Sequence, residues 1–343
     1  MSKQPLRAKV GEVQFRAEVT GQHLGKERQF EHEYTKSEMK AVMREKIERI
    51  KKDFTTLKNR ATPLSSFLEI GSGYGQASLI LVNKFNAVGF ATDIAVDPLR
   101  GVKETAKKFK FRKFPEIVVC DAESLPFHDN SFPFVFCYQT LHHFPHPGKV
   151  IREVYRVLAP GGYFFFAEEP VAQTFNIPLW RRPTKLRWWE KFLKATCILL
   201  FISRIGKTET DHGILEETFP LKVWKQSLSS FEEVEAKLFP FPFGPTGLLL
   251  RKNYKWQRFN LVDKISLGII FFVGGGISGT ARKEGTAHKL VALPSFICIS
   301  CNKHPKLVQR DGQLVCPACK VKYLKKDGID ILLSKKLREK LYP

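Results

Sequence analysis

Four cysteines stand in two pairs, Cys298-Ile-Ser-Cys301 and Cys316-Pro-Ala-Cys319. Two C-x-x-C knuckles at this separation can bring four thiolates to the corners of one tetrahedron, the donor set that zinc takes in structural sites. Sulfur then fills every coordination position, so the expected metal is a structural Zn2+ whose binding energy supports a module too small to fold alone. Earlier in the chain, Gly71-Ser-Gly73-Tyr-Gly75 follows a short apolar run. Glycines there let a ligand approach the backbone, and a helix starting after them offers unpaired N–H groups. Asp93 and Asp121 each close a later apolar run. A carboxylate at the first position can accept both hydroxyls of a ribose, and one at the second an exocyclic adenine amine. Asp97 is the alternative ribose ligand; Asp93 is preferred because it ends its run directly. His142 and His143 follow the next apolar run. There an imidazole that titrates near neutrality can act as a general base. The competing reading has one histidine capping the following turn while the other packs. Glu168 and Glu169 then serve as alternative anchors for an acceptor or for the arginines of a lid.

These groups need a scaffold that gathers strand ends. Apolar runs at 66–70, 87–92, 116–120, 134–138 and 163–167 alternate with helical patterns at 76–85, 102–111 and 148–158. That alternation specifies a parallel, doubly wound sheet, which collects its ligands at the carboxyl ends of the strands. Residues 37–57 carry Met39, Val42, Met43, Ile47, Ile50, Phe54 and Leu57 at helical spacing and form an amphipathic helix against that sheet. Residues 222–239 read as another helix, and 268–281 as closing strands. Cys120, Cys137 and Cys197 sit in strand or apolar-helix settings and read as packing residues.

The segments FLEIGSGYG (67–75), ATDIA (91–95), CDAESLPFHDNSF (120–132), QTLHHF (139–144) and REVYRVLAPGGYFFFAEE (152–169) resemble the class I S-adenosylmethionine-dependent methyltransferases. The resemblance is greatest to the group that includes the ubiquinone and menaquinone methyltransferases, and it covers roughly residues 37–170. It implies an α/β fold with a doubly wound, mostly parallel seven-stranded sheet and S-adenosylmethionine as cofactor. It places Glu69, Gly71, Gly73 and Gly75 at the methionine end, Asp93 at the ribose, Asp121 and Ala122 at the adenine, and Gln139 and Leu141 beside the sulfonium. One departure is Ser131-Phe132-Pro133, where the family usually has Ser-Phe-Asp. Residues 314–334 are similar to the small zinc-ribbon activator subunit that partners RNA and protein methyltransferases.

The chain has 343 residues, 43% hydrophobic and 26% charged, which excludes disordered and collagen-like classes. Its 56 Lys and Arg against 34 Asp and Glu give a net charge of +22. Residues 61–170 contain as many basic as acidic side chains, so the excess lies in the flanks, which are expected to meet something anionic. No apolar run reaches the roughly 20 residues of a membrane span. Nor does the N-terminus carry a secretory h-region, so a reducing, cytoplasmic setting is expected, with peripheral membrane contact left open. The expected organisation is an N-terminal arm and helix (1–60), a methyltransferase domain (61–290) with a lid or insert at about 171–260, and a zinc ribbon (291–343) with its own core. Residues 171–205 interleave basic side chains with Trp180, Trp188, Trp189, Phe192 and Phe201. Such a segment suits a lid helix, a helix lying on an anionic membrane surface, or a groove for single-stranded RNA. The expected activity is methyl transfer to a small amphiphilic or lipid-linked acceptor, at oxygen. The alternatives are an RNA (tRNA or rRNA) methyltransferase and a non-catalytic cofactor-binding interaction protein.

Overall fold

Five apolar runs form the centre of one sheet: β1 (Ser66–Ile70), β2 (Val88–Asp93), β3 (Glu116–Cys120), β4 (Phe132–Tyr138) and β5 (Leu158–Val171). They lie in the order β3-β2-β1-β4-β5 with every pairing parallel. Strands covered on both faces need apolar side chains at successive positions, which is why β1 and β4 read as near-continuous hydrophobic runs. The computed structural model describes residues 3–21, 36–171, 218–240, 248–251, 275–286 and 293–343, with single positions between them.

The connecting helices are α3 (Gln76–Lys84), α4 (Val96–Arg100), α5 (Val102–Lys108) and α6 (Pro147–Val157). The expected amphipathic helix is α2 (Lys36–Asn59), which lays Ile50, Phe54 and Leu57 against Phe134 and Phe136. The Phe54 ring meets Phe136 edge-on at 5.3 Å, a geometry that adds to simple area burial. Before it stands α1 (Lys3–Gly21), a helix that periodicity does not reveal.

Beyond β5 the sheet continues through antiparallel strands: β8 (Gly275–Arg282) beside β5, then β6 (Glu233–Pro240) and β7 (Leu248–Arg251). The helix expected over 222–239 is instead a short α7 (Leu221–Ser227) followed by β6. In β6 Val234, Ala236 and Leu238 are buried while Glu233 and Lys237 are exposed, the two-residue alternation of a half-covered strand. At the opposite edge β12 (Ile329–Leu332) pairs parallel with β3, and β11 (Leu324–Lys326) pairs antiparallel with β12. Among the described residues the sheet thus has ten strands, where seven were expected. A separate hairpin, β9 (Val308–Arg310) with β10 (Gln313–Val315), carries the second cysteine knuckle at its end, and α8 (Lys335–Leu341) follows β12.

The C-terminal module does not keep a core of its own. Cys298, Leu307, Leu314, Cys316 and Tyr323 belong to one buried cluster with Phe90, Phe127 and Phe132, and the Phe296 ring lies 5.4 Å from both Phe90 and Phe127. The strand pairing draws it in, because β3 without β12 would end the sheet as an open apolar edge. Residues 172–217, the first part of the expected lid, lie outside the described residues apart from Phe192 and Thr196, and with them Trp180, Trp188, Trp189, Cys197 and Phe201. Among the described residues no helix is long and apolar enough to cross a membrane.

Candidate functional site

The parallel strands end on one side of the sheet, and their carboxyl ends enclose a cavity. Its wall includes Gly71 and Gly73 after β1, Asp93 at the end of β2, Asp121 and Ala122 after β3, and Gln139 and His143 after β4. Glu69, Gly75 and His142 lie just outside it. The sheet therefore brings seven of the eleven sequence-derived cofactor and catalytic residues onto one surface, Leu141 being the fourth that does not line it.

The glycine turn is shaped by left-handed backbone at Gly71, Gly73 and Gly75, with φ of 63°, 51° and 69°. A Cβ at Gly71 would stand 2.3 Å from the Thr140 side chain, whereas at Gly73 it would meet nothing within 4 Å. Gly71 is thus required by packing against the chain itself. Gly73 leaves space in which a ligand can reach the backbone. The Gly73 N–H donates to Asp93 Oδ2 and the Ala95 N–H to Asp93 Oδ1, both at 2.9 Å. These two bonds fix the carboxylate while each oxygen keeps lone pairs for further donors. Burial nevertheless pushes the Asp93 carboxyl above its usual range.

Glu69, 3% exposed, faces α3 and not the cavity. Its Oε2 accepts the Ser78 N–H at 3.1 Å and also the Ser78 hydroxyl. Burial outweighs these bonds and pushes the acid up to about 8.

The two histidines separate in role. Glu169, wholly buried at the end of β5, accepts the backbone N–H groups of Thr140, Leu141 and His142 at 2.8, 3.0 and 3.2 Å. It also holds His142 Nδ1 at 2.9 Å. One carboxylate thus caps the 3-10 turn Leu141–His143 and locks the first imidazole. Burial alone would raise the Glu169 pKa, but His142 and the turn's N–H groups hold it below the usual range. His143 is carried to the cavity wall, its ring 4.1 Å from that of His142. Glu168 turns the other way and pairs with Arg49 of α2 at 2.6 Å. At the end of β4, Gln139 is forced to φ 49°, strain of the kind found where a side chain must be aimed.

Sequence reasoning missed a wall of the cavity, the one made by α1. Lys9, Glu12 and Arg16 face inward from that helix. Lys9 Nζ donates to Asp121 Oδ2 at 2.5 Å and to Glu123 Oε2 at 2.7 Å, while the Glu123 N–H holds Asp121 Oδ1 at 3.0 Å. Burial would discharge this ammonium, but the two carboxylates keep it charged and raise its pKa. Arg16 Nε donates to Glu12 Oε1 at 2.8 Å, leaving Glu12 Oε2 buried with no partner among the described residues. The Glu12–Arg16 spacing of four residues is one sequence sign of the helix.

The four cysteines converge as the spacing requires. Their sulfur atoms all lie within 4.8 Å of one another. Cys298 stands 3.7 Å from Cys319, and Cys301 3.9 Å from Cys316. A tetrahedral zinc with Zn–S bonds of about 2.3 Å needs sulfurs roughly 3.8 Å apart, so the donor set fits that metal. N–H groups of Ser300 and Cys319 and the Tyr323 hydroxyl point at the sulfurs at 3.3–3.4 Å, as outer partners of thiolate ligands do. Cys120 and Cys137 are buried in strands, away from this cluster.

Residues 68–166 match the family model described as a methyltransferase domain. The chain is 30% identical over 147 residues to the phthiotriol/phenolphthiotriol dimycocerosates methyltransferase of Mycobacterium tuberculosis, covering 43% of this chain and 49% of that protein. It is 32% identical over 109 residues to the ubiquinone/menaquinone biosynthesis C-methyltransferase of Rickettsia typhi, covering 30% and 44%. To the fatty-acid O-methyltransferase of Mycolicibacterium smegmatis it is 31% identical over 116 residues, covering 34% and 40%. The chain spans about half the length of these relatives, or less.

Proposed function

We propose that this chain, whose residues 68–166 match the methyltransferase-domain model, is a class I S-adenosylmethionine-dependent methyltransferase that methylates a small amphiphilic or lipid-linked acceptor, at an oxygen atom. The observation that carries this reading is the convergence of Gly73, Asp93, Asp121 and His143 on one cavity at the strand ends. The open space at Gly73 and the unfilled lone pairs of Asp93 suit a ribonucleoside cofactor. When bound, that cofactor supplies an electrophilic methyl group on a sulfonium.

The chain's own residues then have four tasks. Asp93 orients the ribose, and Asp121 with Ala122 meets the adenine, Lys9 holding the Asp121 side chain in place. The backbone after β1, from Gly71 to Gly75, receives the methionine end, with Glu69 beneath it. Gln139 and Leu141 border the reacting centre. His143, on the wall beside them, takes the proton of an acceptor hydroxyl as the oxygen is alkylated. His142, fixed by Glu169, sets the turn that aims it. Alignment and exclusion of water supply most of the acceleration in a displacement of this kind. Zinc at Cys298, Cys301, Cys316 and Cys319 is structural. Two of the relatives are named for lipid substrates, which supports an apolar acceptor.

The net charge of +22 favours a second reading, methylation of RNA. Transfer of tritiated methyl from S-adenosylmethionine to total lipid, small-metabolite and RNA fractions separates the two. Label in an alkali-stable lipid or metabolite ether, or in an ester, supports the first. Label confined to RNA replaces it with the second. No label in any fraction, with cofactor binding intact, removes the enzymatic reading.

A further inference from the structure

Asp93 is held by backbone that is itself held from far along the chain. The Tyr342 hydroxyl donates to the Ile94 carbonyl at 2.6 Å and accepts the Val96 N–H at 3.0 Å. It therefore bridges the residues on either side of Ala95, whose own N–H fixes Asp93 Oδ1. One donor and one acceptor are all that a phenol offers, and both are spent on this loop. The Val96 N–H opens α4, and the N-cap residue Ala95 has no side chain able to satisfy it. The Tyr342 ring packs against a cluster containing Val13, Ala95, Val96, Leu99, Leu337 and Leu341. In that setting burial pushes the phenol pKa upward, so the hydroxyl stays a donor. No other described side chain touches the Ile94 carbonyl or the Val96 N–H by a hydrogen bond.

We infer that Tyr342 is a positioning residue of the cofactor site, latching the 94–96 loop so that the Asp93 carboxylate is pre-aimed at the ribose hydroxyls. The residue lies outside the methyltransferase-domain match at 68–166, and 246 positions from Val96. Resting on the proposed role of Asp93, the inference assigns to the C-terminal module a part in cofactor affinity besides metal binding. Without the latch, the loop must be ordered when the ligand arrives, and the cost appears as weaker binding of ligands that use Asp93.

Tyr342→Phe removes the hydroxyl and keeps the ring. Calorimetry on the full chain, with S-adenosylhomocysteine and its 2′-deoxyribose counterpart, reads the effect. Wild type should prefer the ribose form by about tenfold, the measure of a well-made hydrogen bond to a carboxylate. In the variant the ribose form should weaken by about tenfold and the preference should shrink toward unity. Amide exchange should quicken at Val96 while protection in β1 is unchanged. Equal affinities in wild type and variant would overturn the inference. So would equal weakening of both ligands, which is what a merely structural role predicts. Failure of wild type to bind either ligand would instead sink the cofactor-site reading, and the inference with it.

Discussion

Glu69 provides a test that needs no knowledge of the acceptor. Burial against α3 raises this carboxyl from its usual 4.5 to about 8. The folded protein then keeps the Glu69 proton over a pH range in which the unfolded chain has released it. Its contribution to stability is fully present below the unfolded pKa and is lost as pH rises through the folded one, at about 1.4 kcal/mol per pH unit. From about pH 5.5 to about pH 7.5 the loss comes to roughly 3 kcal/mol, a sizeable share of a typical domain's stability. Glu69→Gln keeps the shape and the carbonyl acceptor that Ser78 uses, and it cannot ionise. Urea unfolding of both proteins across that range should show the difference in unfolding free energy moving by roughly 3 kcal/mol in the variant's favour as pH rises. A difference that stays flat would refute the reasoning and mean that Glu69 is ionised in the folded protein near neutrality.

Two further outcomes follow from the packing. Because Cys298 and Cys316 share a buried cluster with Phe90 and Phe127, a chelator strong enough to remove zinc should lower the melting temperature of the whole fold in one transition. A two-step melt with the sheet transition unmoved would contradict this. Glu169→Gln replaces one carboxylate oxygen by an NH2 group facing N–H donors of the 140–142 turn. It should cost about 2–4 kcal/mol in unfolding free energy at neutral pH. With its pKa held low, the wild-type Glu169 contribution is full above the usual carboxylate range and fades as pH falls through the folded value. Denaturant titration at neutral and acid pH checks both statements.

The glycine turn, Asp93 and Asp121 were legible because each closes an apolar run, and a strand buried on both faces announces its own end. The four cysteines were legible because two knuckles need only local spacing. The α1 helix was not, since it draws polar and apolar side chains inward alike: Lys9, Glu12 and Arg16 face the cavity while Leu6, Val10 and Val13 pack on an apolar cluster, so no single apolar stripe stands out. The β6 strand was hidden by its neighbour, α7 ending only five residues before it, so that a helical and an alternating pattern merged. His142 and His143 could not be told apart by position. Their separation depends on Glu169, whose capping of the 3-10 turn decides which ring meets the wall. The Tyr342 latch and the β3–β12 pairing join residues more than 200 positions apart, and no local pattern records such partners.

That pairing also sets an order of events during synthesis. As the ribosome elongates the chain, β3 emerges with one side unpaired, and it must wait for about 200 further residues, on the order of 10–40 s at ordinary translation rates. Throughout that interval the nascent chain presents a bare apolar strand edge, the kind that recruits other strands. The Asp93 loop waits longer still, since Tyr342 follows β12. A truncation that keeps only the methyltransferase-domain match would make this transient state permanent: an exposed edge beside an unlatched loop, prone to self-association before it ever meets a cofactor.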